Sequence, residues 1–202
     1  MKLFYKIIKV LLLFIGIMII VVSLFFGHKD IPIEELKSKY AQAPSQFVDV
    51  DGMQVHFRDE GDQMADMPSV LIHGTGASLH TFDAWTERLK RAHRVIRMDL
   101  PGFGLTGPFP PDRNYSMENY VDFIKEFLES RGVGSCSLGG NSLGGASAWQ
   151  FTAKNPEMVE KLILIDAAGY PMKSESRPIA FTLARIPVVN KALTFITPIG
   201  MV

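Results

Sequence analysis

A serine between glycines is the first place in this sequence where residue types and spacing could do chemistry. In the stretch GGNSLGGASAW, Gly140, Ser142 and Gly144 form a Gly-x-Ser-x-Gly pattern, which suits a nucleophile on a turn too tight for flanking side chains. A serine hydroxyl is a poor nucleophile at neutral pH and needs a base, usually a histidine. All five histidines precede Ser142, so the motif leaves open which group activates it. They are His28, His56, His73, His80 and His93.

Two glycine-rich stretches could instead bind phosphate groups, but each lacks a required residue. GTGASL begins at Gly74 in the position of a dinucleotide fingerprint, yet its sixth residue is Leu79 rather than glycine or alanine. GGNSLGG has the glycine spacing of a phosphate loop, but Gly145 stands where a lysine is needed. The serine motif therefore remains the candidate, as the turn between a strand and a helix.

The composition narrows the function further. The chain has 21 basic and 21 acidic residues, so nothing indicates a nucleic-acid partner. A single cysteine, Cys136, excludes an intrachain disulfide framework. The histidines are scattered without metal-ligand spacing, so the sequence predicts neither a metal nor another cofactor.

The elements that must position the serine alternate between strands and helices. SQFVDV and MQVHFRD flank Asp51-Gly52 as a hairpin, and SVLIHG, HRVIRMDL, SCSLG and KLILIDAAG are typical of further strands. Three helices are predicted. The first has Phe82, Trp85 and Leu89 on one face, the second begins at the N-cap Ser116 and ends at Gly132, and the third follows Ser142. This order predicts an α/β fold with a mainly parallel sheet covered by helices on both faces.

The N-terminus predicts a single membrane-spanning helix. Val10 to Phe26 gives 17 residues without a charge, which is at the short end for crossing a bilayer. A cleaved signal peptide is the alternative, but the sole small-x-small site, Ala41-x-Ala43, lies far downstream. Lysines stand on both sides of the span, which weakens the evidence for orientation. A hydrophobic segment this near the N-terminus usually leaves that end in the cytoplasm, so the body is expected on the non-cytoplasmic side.

Four motifs in sequence order extend the serine motif into a resemblance. LIHGTGAS, DLPGFGLT, GNSLGG and LILIDAAG, from about Phe47 to Tyr170, resemble the esterase and lipase-like branch of the α/β-hydrolase superfamily. The resemblance implies Ser142 as the nucleophile and the backbone N–H groups of Thr75 and Leu143 as an oxyanion hole. It also implies a supporting role for several residues of the two loops, namely His73, Gly74, Gly76, Gly140 and Gly144.

The resemblance also indicates which catalytic groups this chain lacks. In this family the acid and then the histidine follow the serine in sequence. Asp166 is a candidate acid, but most members place theirs one strand later. We therefore expect the acid and histidine to be missing from these 202 residues, and the chain alone to be inactive. The expected organisation is an anchor (1–27), a stalk (28–45), six strands of the hydrolase core (46–169) and the start of a helical cap (170–202).

These observations predict a membrane-anchored serine hydrolase acting on small, apolar ester or acyl substrates. A carboxylic-ester hydrolase is the first interpretation. A C–C bond hydrolase or a thioesterase would use the same serine turn. A protein of this fold that binds a ligand or partner at the membrane without catalysis is the alternative from another class. The N-terminal helix gives the lipid bilayer as a further expected partner.

Overall fold

Six strands form one mixed sheet in this computed structural model. The structure describes residues 2–26, 31–65, 67–170, 179–183, 185–187 and 189–190. The strands are β1 (Ser45–Val50), β2 (Met53–Glu60), β3 (Ser69–Ile72), β4 (Val95–Met98), β5 (Cys136–Asn141) and β6 (Val159–Ile165). Their order across the sheet is β1-β2-β4-β3-β5-β6. β4, β3, β5 and β6 run parallel, and β1 and β2 extend the sheet antiparallel. The α/β-hydrolase fold with a mainly parallel sheet is confirmed.

The antiparallel hairpin forms where the sequence predicts it. Asp51 and Gly52 connect β1 to β2 with φ angles of 51° and 76°. Positive φ at both central residues is the geometry of a type I′ turn, whose twist matches that of the paired strands. Strand β5 lies between β3 and β6, with the end that leads to Ser142 next to the end of β3.

Six helices are described. They are α1 (Lys2–Phe26), α2 (Ile33–Tyr40), α3 (Asp83–Leu89), α4 (Met117–Ser130), α5 (Leu143–Lys154) and α6 (Ile179–Leu183). The Ser116 side chain accepts the N–H of Asn119 and caps α4, as predicted. At its other end Gly132 has φ 66°, and Val133 donates to the Leu128 carbonyl. This pattern of bonds is a Schellman motif, which explains why a glycine ends the helix.

Helices cover both faces of the sheet, one more heavily than the other. The larger core contains buried side chains from all of β2 to β5 and from α4 and α5. A smaller cluster of Leu71, Phe82 and Val95 lies under α3. Phe82, Trp85 and Leu89 lie together as predicted, since the Phe82 and Trp85 rings meet edge to face at 5.9 Å and Leu89 packs against the cluster of Phe82. Trp85 nevertheless remains 46% exposed, and α3 begins only at Asp83, after a 3₁₀ turn that ends at Phe82.

The chain divides into two units, of which Pro32–Tyr170 contains the whole sheet. The other unit comprises Met1–Ile31 and Pro171–Val202. In it, the span Phe4–Val22 of α1 is long and apolar enough to cross a membrane, a property that signal sequences share. The expected cap, residues 170–202, lies mostly outside the described residues. The sequence predicts that four apolar residues of this cap face the pocket or the core, namely Leu183, Ile186, Leu193 and Ile196. Leu183, at the end of α6, and Ile186 are exposed, and Leu193 and Ile196 lie outside the described residues.

Candidate active site

Ser142 lies on a strained turn between β5 and α5. Its backbone has φ 50° and ψ −112°, a conformation that non-glycine residues rarely adopt. Helix α5 begins at the next residue, Leu143. A serine held in such a conformation between a strand and a helix is the geometry of a nucleophile elbow. This turn exposes the hydroxyl at the carboxyl ends of the parallel strands.

The glycines of the motif let three segments approach one another closely. A Cβ on Gly140 would lie 2.3 Å from the carbonyl oxygen of Gly144. A Cβ on Gly144 would lie 2.2 Å from the carbonyl oxygen of Ile72, at the end of β3. Gly74 borders the serine, since a Cβ there would lie 3.0 Å from the Cβ of Ser142. At Gly140 and Gly144 only glycine fits without moving backbone.

The two expected oxyanion donors flank the serine along different segments. Leu143 is the first residue of α5, and N–H groups in the first turn of a helix have no acceptor within the helix. Thr75 follows Gly74 in the loop that touches Ser142 and is exposed, while Gly76 turns the loop with φ 69°. The structure thus brings both predicted donor segments to the serine, with a helix N-terminus that favours negative charge.

His73 lies beneath this loop and is fully buried, with both ring nitrogens occupied. Nδ1 donates to the carbonyl of Gly74 at 2.8 Å, and Nε2 accepts the N–H of Leu100 at 3.0 Å. Burial lowers the pKa of His73, outweighing the Gly74 carbonyl and the Asp99 carboxylate, which raise it. The ring is therefore neutral and supports the loop without reaching Ser142.

The other described histidines also bond elsewhere. His56 Nδ1 is 2.7 Å from Asp99, and His80 Nδ1 is 2.9 Å from Asp83. His93 lies exposed in the turn before β4. Among the histidines that the structure describes, none hydrogen-bonds to Ser142. Within the same residues no group of three or more His, Cys, Asp or Glu side chains could hold a metal ion.

Asp166 lies on a turn bonded to the backbone of the nucleophile. Ser142 donates its N–H to the Ile165 carbonyl at 3.1 Å, and Ala168 donates to the Ser142 carbonyl at 2.9 Å. Asp166 itself has φ 44° and is exposed at the end of β6. The turn after β6 is thus brought to the elbow, as a catalytic acid in this position would require.

Sequence reasoning missed two residues that fix the elbow, Asn141 within the motif and Gly145 directly after it. The Asn141 side chain donates to the Ile165 carbonyl at 3.1 Å and ties β5 to the end of β6. A Cβ on Gly145 would lie 2.6 Å from that of Ala167. The absence of a side chain at Gly145 therefore lets the turn after β6 pack against α5. A polar residue just before the nucleophile and the doubled glycine were the available signals.

The sheet, the elbow and the glycine loop together define an α/β-hydrolase. A family model described as alpha/beta hydrolase fold matches residues 70–187, more than half of the 202-residue chain. The chain belongs to this family.

Two curated relatives illustrate the range of chemistry. The chain is 31% identical over 170 residues to 2-hydroxy-6-oxo-6-(2'-aminophenyl)hexa-2,4-dienoic acid hydrolase of Metapseudomonas resinovorans, covering 80% of this chain and 56% of the relative. It is 36% identical over 112 residues to lipase 1 of Psychrobacter immobilis, covering 55% of this chain and 35% of the lipase. The chain thus spans about half, or less, of the length of these relatives.

A solved structure is similar over nearly the whole chain. The crystal structure of a membrane phospholipase A, titled a novel bacterial virulence factor, matches with a TM-score of 0.62 and 26% identity. The match covers 96% of this chain and 64% of the phospholipase chain. Because only 4% of this chain is unmatched, the matched part includes most of the 25-residue helix α1.

Proposed function

We propose that the protein is a membrane-anchored serine hydrolase that cleaves carboxylic esters with apolar acyl groups. The observation that carries the proposal is the backbone of Ser142, held at φ 50° between Gly140 and Gly144 with Leu143 at the start of a helix. A strained serine facing N–H donors is arranged for attack on a carbonyl carbon. The similarity to a lipase and to a membrane phospholipase supports an ester of a lipid-like acid.

In the proposed reaction, Oγ of Ser142 attacks the ester carbonyl and its proton passes to a base. The carbonyl oxygen becomes an oxyanion that accepts hydrogen bonds from the N–H groups of Thr75 and Leu143. The ester C–O bond then breaks as the base returns the proton to the leaving alcohol oxygen. Water, deprotonated by the same base, attacks the acyl-serine, releases the acid and regenerates the Ser142 hydroxyl. Each oxyanion donor of this kind typically contributes about 10²–10³ in rate.

We propose that the base lies in a further segment of the protein, one that corresponds to the part of the relatives that these 202 residues do not match. His73 has both nitrogens occupied at 2.8 and 3.0 Å, and His56 and His80 face carboxylates. Family order places an acid and then a histidine after the serine. Asp166, on a turn bonded to the elbow, is a candidate for the acid, and a residue after a later strand is the alternative.

Active-site labelling tests the proposal. A fluorophosphonate probe is applied to this 202-residue chain and to a longer chain that spans the full length of the relatives, and the modified residue is mapped by mass spectrometry. We expect the longer chain alone to be labelled, at Ser142, and to hydrolyse p-nitrophenyl esters. No labelling of the longer chain would favour a non-catalytic binding protein. Labelling of the short chain that His73→Ala abolishes would make His73 the base.

A C–C bond hydrolase is the second candidate, favoured by the 31% identity to the dienoic acid hydrolase over 80% of this chain. The longer chain is assayed side by side with p-nitrophenyl butyrate and with a 2-hydroxy-6-oxo-dienoic acid. We expect the ester to be hydrolysed faster. Faster loss of the dienoate chromophore would replace the ester assignment with C–C cleavage.

The membrane part of the proposal rests on α1. Its span Phe4–Val22 is long and apolar enough to cross a bilayer, and the similarity to the membrane phospholipase covers this region. We propose that α1 is retained as a single-pass anchor with the hydrolase domain on the non-cytoplasmic side. The protein should then stay with membranes in high salt and dissolve in detergent. A mature N-terminus near Gly27 or Ala43 would contradict retention, and protection of the body from protease added to spheroplasts would reverse the orientation.

A further inference from the structure

Asp99, directly after β4, is a buried carboxylate bound to three separate segments. Its side chain is 1% exposed. Oδ2 accepts the N–H of Leu105 at 2.8 Å and lies 2.7 Å from Nδ1 of His56, on β2. Oδ1 accepts the N–H of Leu79 at 2.7 Å. Because the carboxylate is buried and accepts several hydrogen bonds, these bonds also fix the positions of the donor segments.

The surroundings of the carboxylate are built for it. Gly104 has φ 55°, and a Cβ there would lie 2.1 Å from Oδ2 of Asp99, so the glycine leaves the space that the carboxylate fills. The backbone N–H of His56 donates to Oγ1 of Thr106 at 3.0 Å, and the N–H of Asp99 donates to the His56 carbonyl at 2.9 Å. Burial raises the pKa of Asp99, but the bonds from His56, Leu105 and Leu79 outweigh it and hold that pKa below its usual value.

The two ends of the oxyanion loop, residues 73–79, are fixed to two adjacent residues, one end to Leu100 and the other to Asp99. The loop begins at His73, whose Nε2 accepts the N–H of Leu100 at 3.0 Å. It ends at Leu79, whose N–H binds the carboxylate of Asp99 at 2.7 Å. Thr75 lies between these two anchor points. Displacing residues 99–100 would therefore move the loop as a unit relative to Ser142.

We propose that Asp99, oriented by His56, is a positioning residue that sets the place of the Thr75 N–H in the oxyanion hole. This inference rests on the proposed function. The donors act on charge that develops only in the transition state, so their misplacement lowers kcat and leaves KM nearly unchanged.

Ser45 completes a chain of side chains, but its role is to hold His56. Its Oγ lies 2.9 Å from Nε2 of His56 and accepts the Nε–H of Arg58 at 2.9 Å. Ser45 lies in the extended strand β1, not on a turn that leads into a helix. The Ser45–His56–Asp99 hydrogen-bond chain therefore holds Oδ2 of the carboxylate, whereas the Leu79 N–H of the loop binds Oδ1.

The test compares Asp99→Asn with Asp59→Asn in the longer chain. Asp59 is a matched control because it is 4% exposed, lies on β2 and binds Arg94 at 2.7 and 3.0 Å, yet bonds to no part of the oxyanion loop. Both variants should melt at lower temperature. Asp99→Asn alone should lose about 10–10² in kcat, with KM within about twofold. Amide hydrogen exchange across residues 73–80 should also rise in Asp99→Asn and not in Asp59→Asn.

Equal kcat in both variants, with equal exchange across residues 73–80, would reduce Asp99 to a purely structural residue. If Asp99→Asn does not fold, His56→Gln removes one of the three donors, and a smaller fall in kcat of about threefold with the same exchange signature is expected. Absence of turnover and of Ser142 labelling in the unmodified protein would overturn the proposed function alone, since the exchange comparison still decides the positioning role. Phosphonylation of Ser45 by the fluorophosphonate probe would show that Ser45 reacts as a nucleophile, and it would overturn the supporting role assigned to Ser45, His56 and Asp99.

Discussion

Ser142 and Ser45 show two halves of a hydrolytic serine site in different parts of one unit. Ser142 has the backbone: φ 50°, a helix that begins at the next residue and a glycine loop against it. None of the described histidines bonds to it. Ser45 has the side chains, with His56 Nε2 at 2.9 Å and His56 Nδ1 at 2.7 Å from Asp99. It lies in an ordinary extended strand.

If Ser142 is the nucleophile, as we propose, then a serine, a histidine and an aspartate in contact do not by themselves make a hydrolase. Charge develops on the substrate oxygen in the transition state, and only donors aimed at that oxygen stabilise it. At Ser45 the nearest donor is Arg58, whose Nε–H is directed at the serine oxygen itself. The backbone around the serine, rather than its side-chain partners, distinguishes the two sites.

The largest expected effect is on turnover. In the longer chain, Ser142→Ala should lower ester hydrolysis by about 10⁶, the loss typical of removing a catalytic serine. Ser45→Ala should leave kcat within about twofold, because Ser45 acts on the oxyanion loop only indirectly, through His56 and Asp99. Steady-state assays of the purified variants measure both. A loss of comparable size in Ser45→Ala would place that serine in the catalytic machinery and erase the contrast.

The next effect is on the stability of the elbow. Gly144→Ala places a Cβ 2.2 Å from the carbonyl oxygen of Ile72, so β3 or α5 must move. We expect a loss of about 3 kcal/mol in the free energy of unfolding, at the upper end of overpacking effects. Gly134→Ala is the control, since a Cβ there meets nothing within 4 Å. Urea unfolding should show a near-neutral control, and equal losses would mean that the elbow is not closely packed.

A smaller effect concerns pH. Burial lowers the pKa of His73 from 6.5, so the unfolded chain binds a proton more readily than the folded one. The stability that the neutral ring contributes is complete above about pH 6.5 and is lost as the pH falls toward the lowered pKa, by at most about 1.4 kcal/mol per pH unit. Melting temperatures from pH 8 to pH 5 should therefore fall more steeply than in His73→Asn. Parallel curves would show that His73 does not titrate on unfolding.

The smallest effect sharpens the role of Ser45. Ser45→Ala removes the hydroxyl that lies 2.9 Å from both His56 Nε2 and Arg58 Nε. We expect a loss of about 1 kcal/mol in the free energy of unfolding, typical of one net hydrogen bond. Ser130→Ala, at a serine that bonds only the Phe127 carbonyl within its own helix, is a control for serine removal. A larger loss of unfolding free energy in Ser130→Ala than in Ser45→Ala would show that the contact with His56 contributes no extra stability.

Local features of this fold could be predicted because they depend on residues close together in the sequence. The hairpin at Asp51-Gly52 follows from residues that tolerate positive φ, and the limits of α4 follow from Ser116 and Gly132. The elbow follows from glycines two residues on either side of Ser142. The apolar spacing places Trp85 beside Phe82, but it does not reveal that Trp85 stays 46% exposed or that a 3₁₀ turn precedes α3.

The sequence by itself determined the order of strands and helices, the serine turn and the apolar N-terminal segment. The tertiary structure alone decided what the buried polar side chains do. His56 and Asp99 are 43 positions apart and Ser45 is a further 11 from His56, so no spacing rule joins them. They meet because β2 pairs with β4 and β1 pairs with β2, which brings three distant segments to one end of the sheet. Once buried there, the carboxylate needs hydrogen-bond donors, and one of them, the N–H of Leu79, belongs to the loop that borders Ser142.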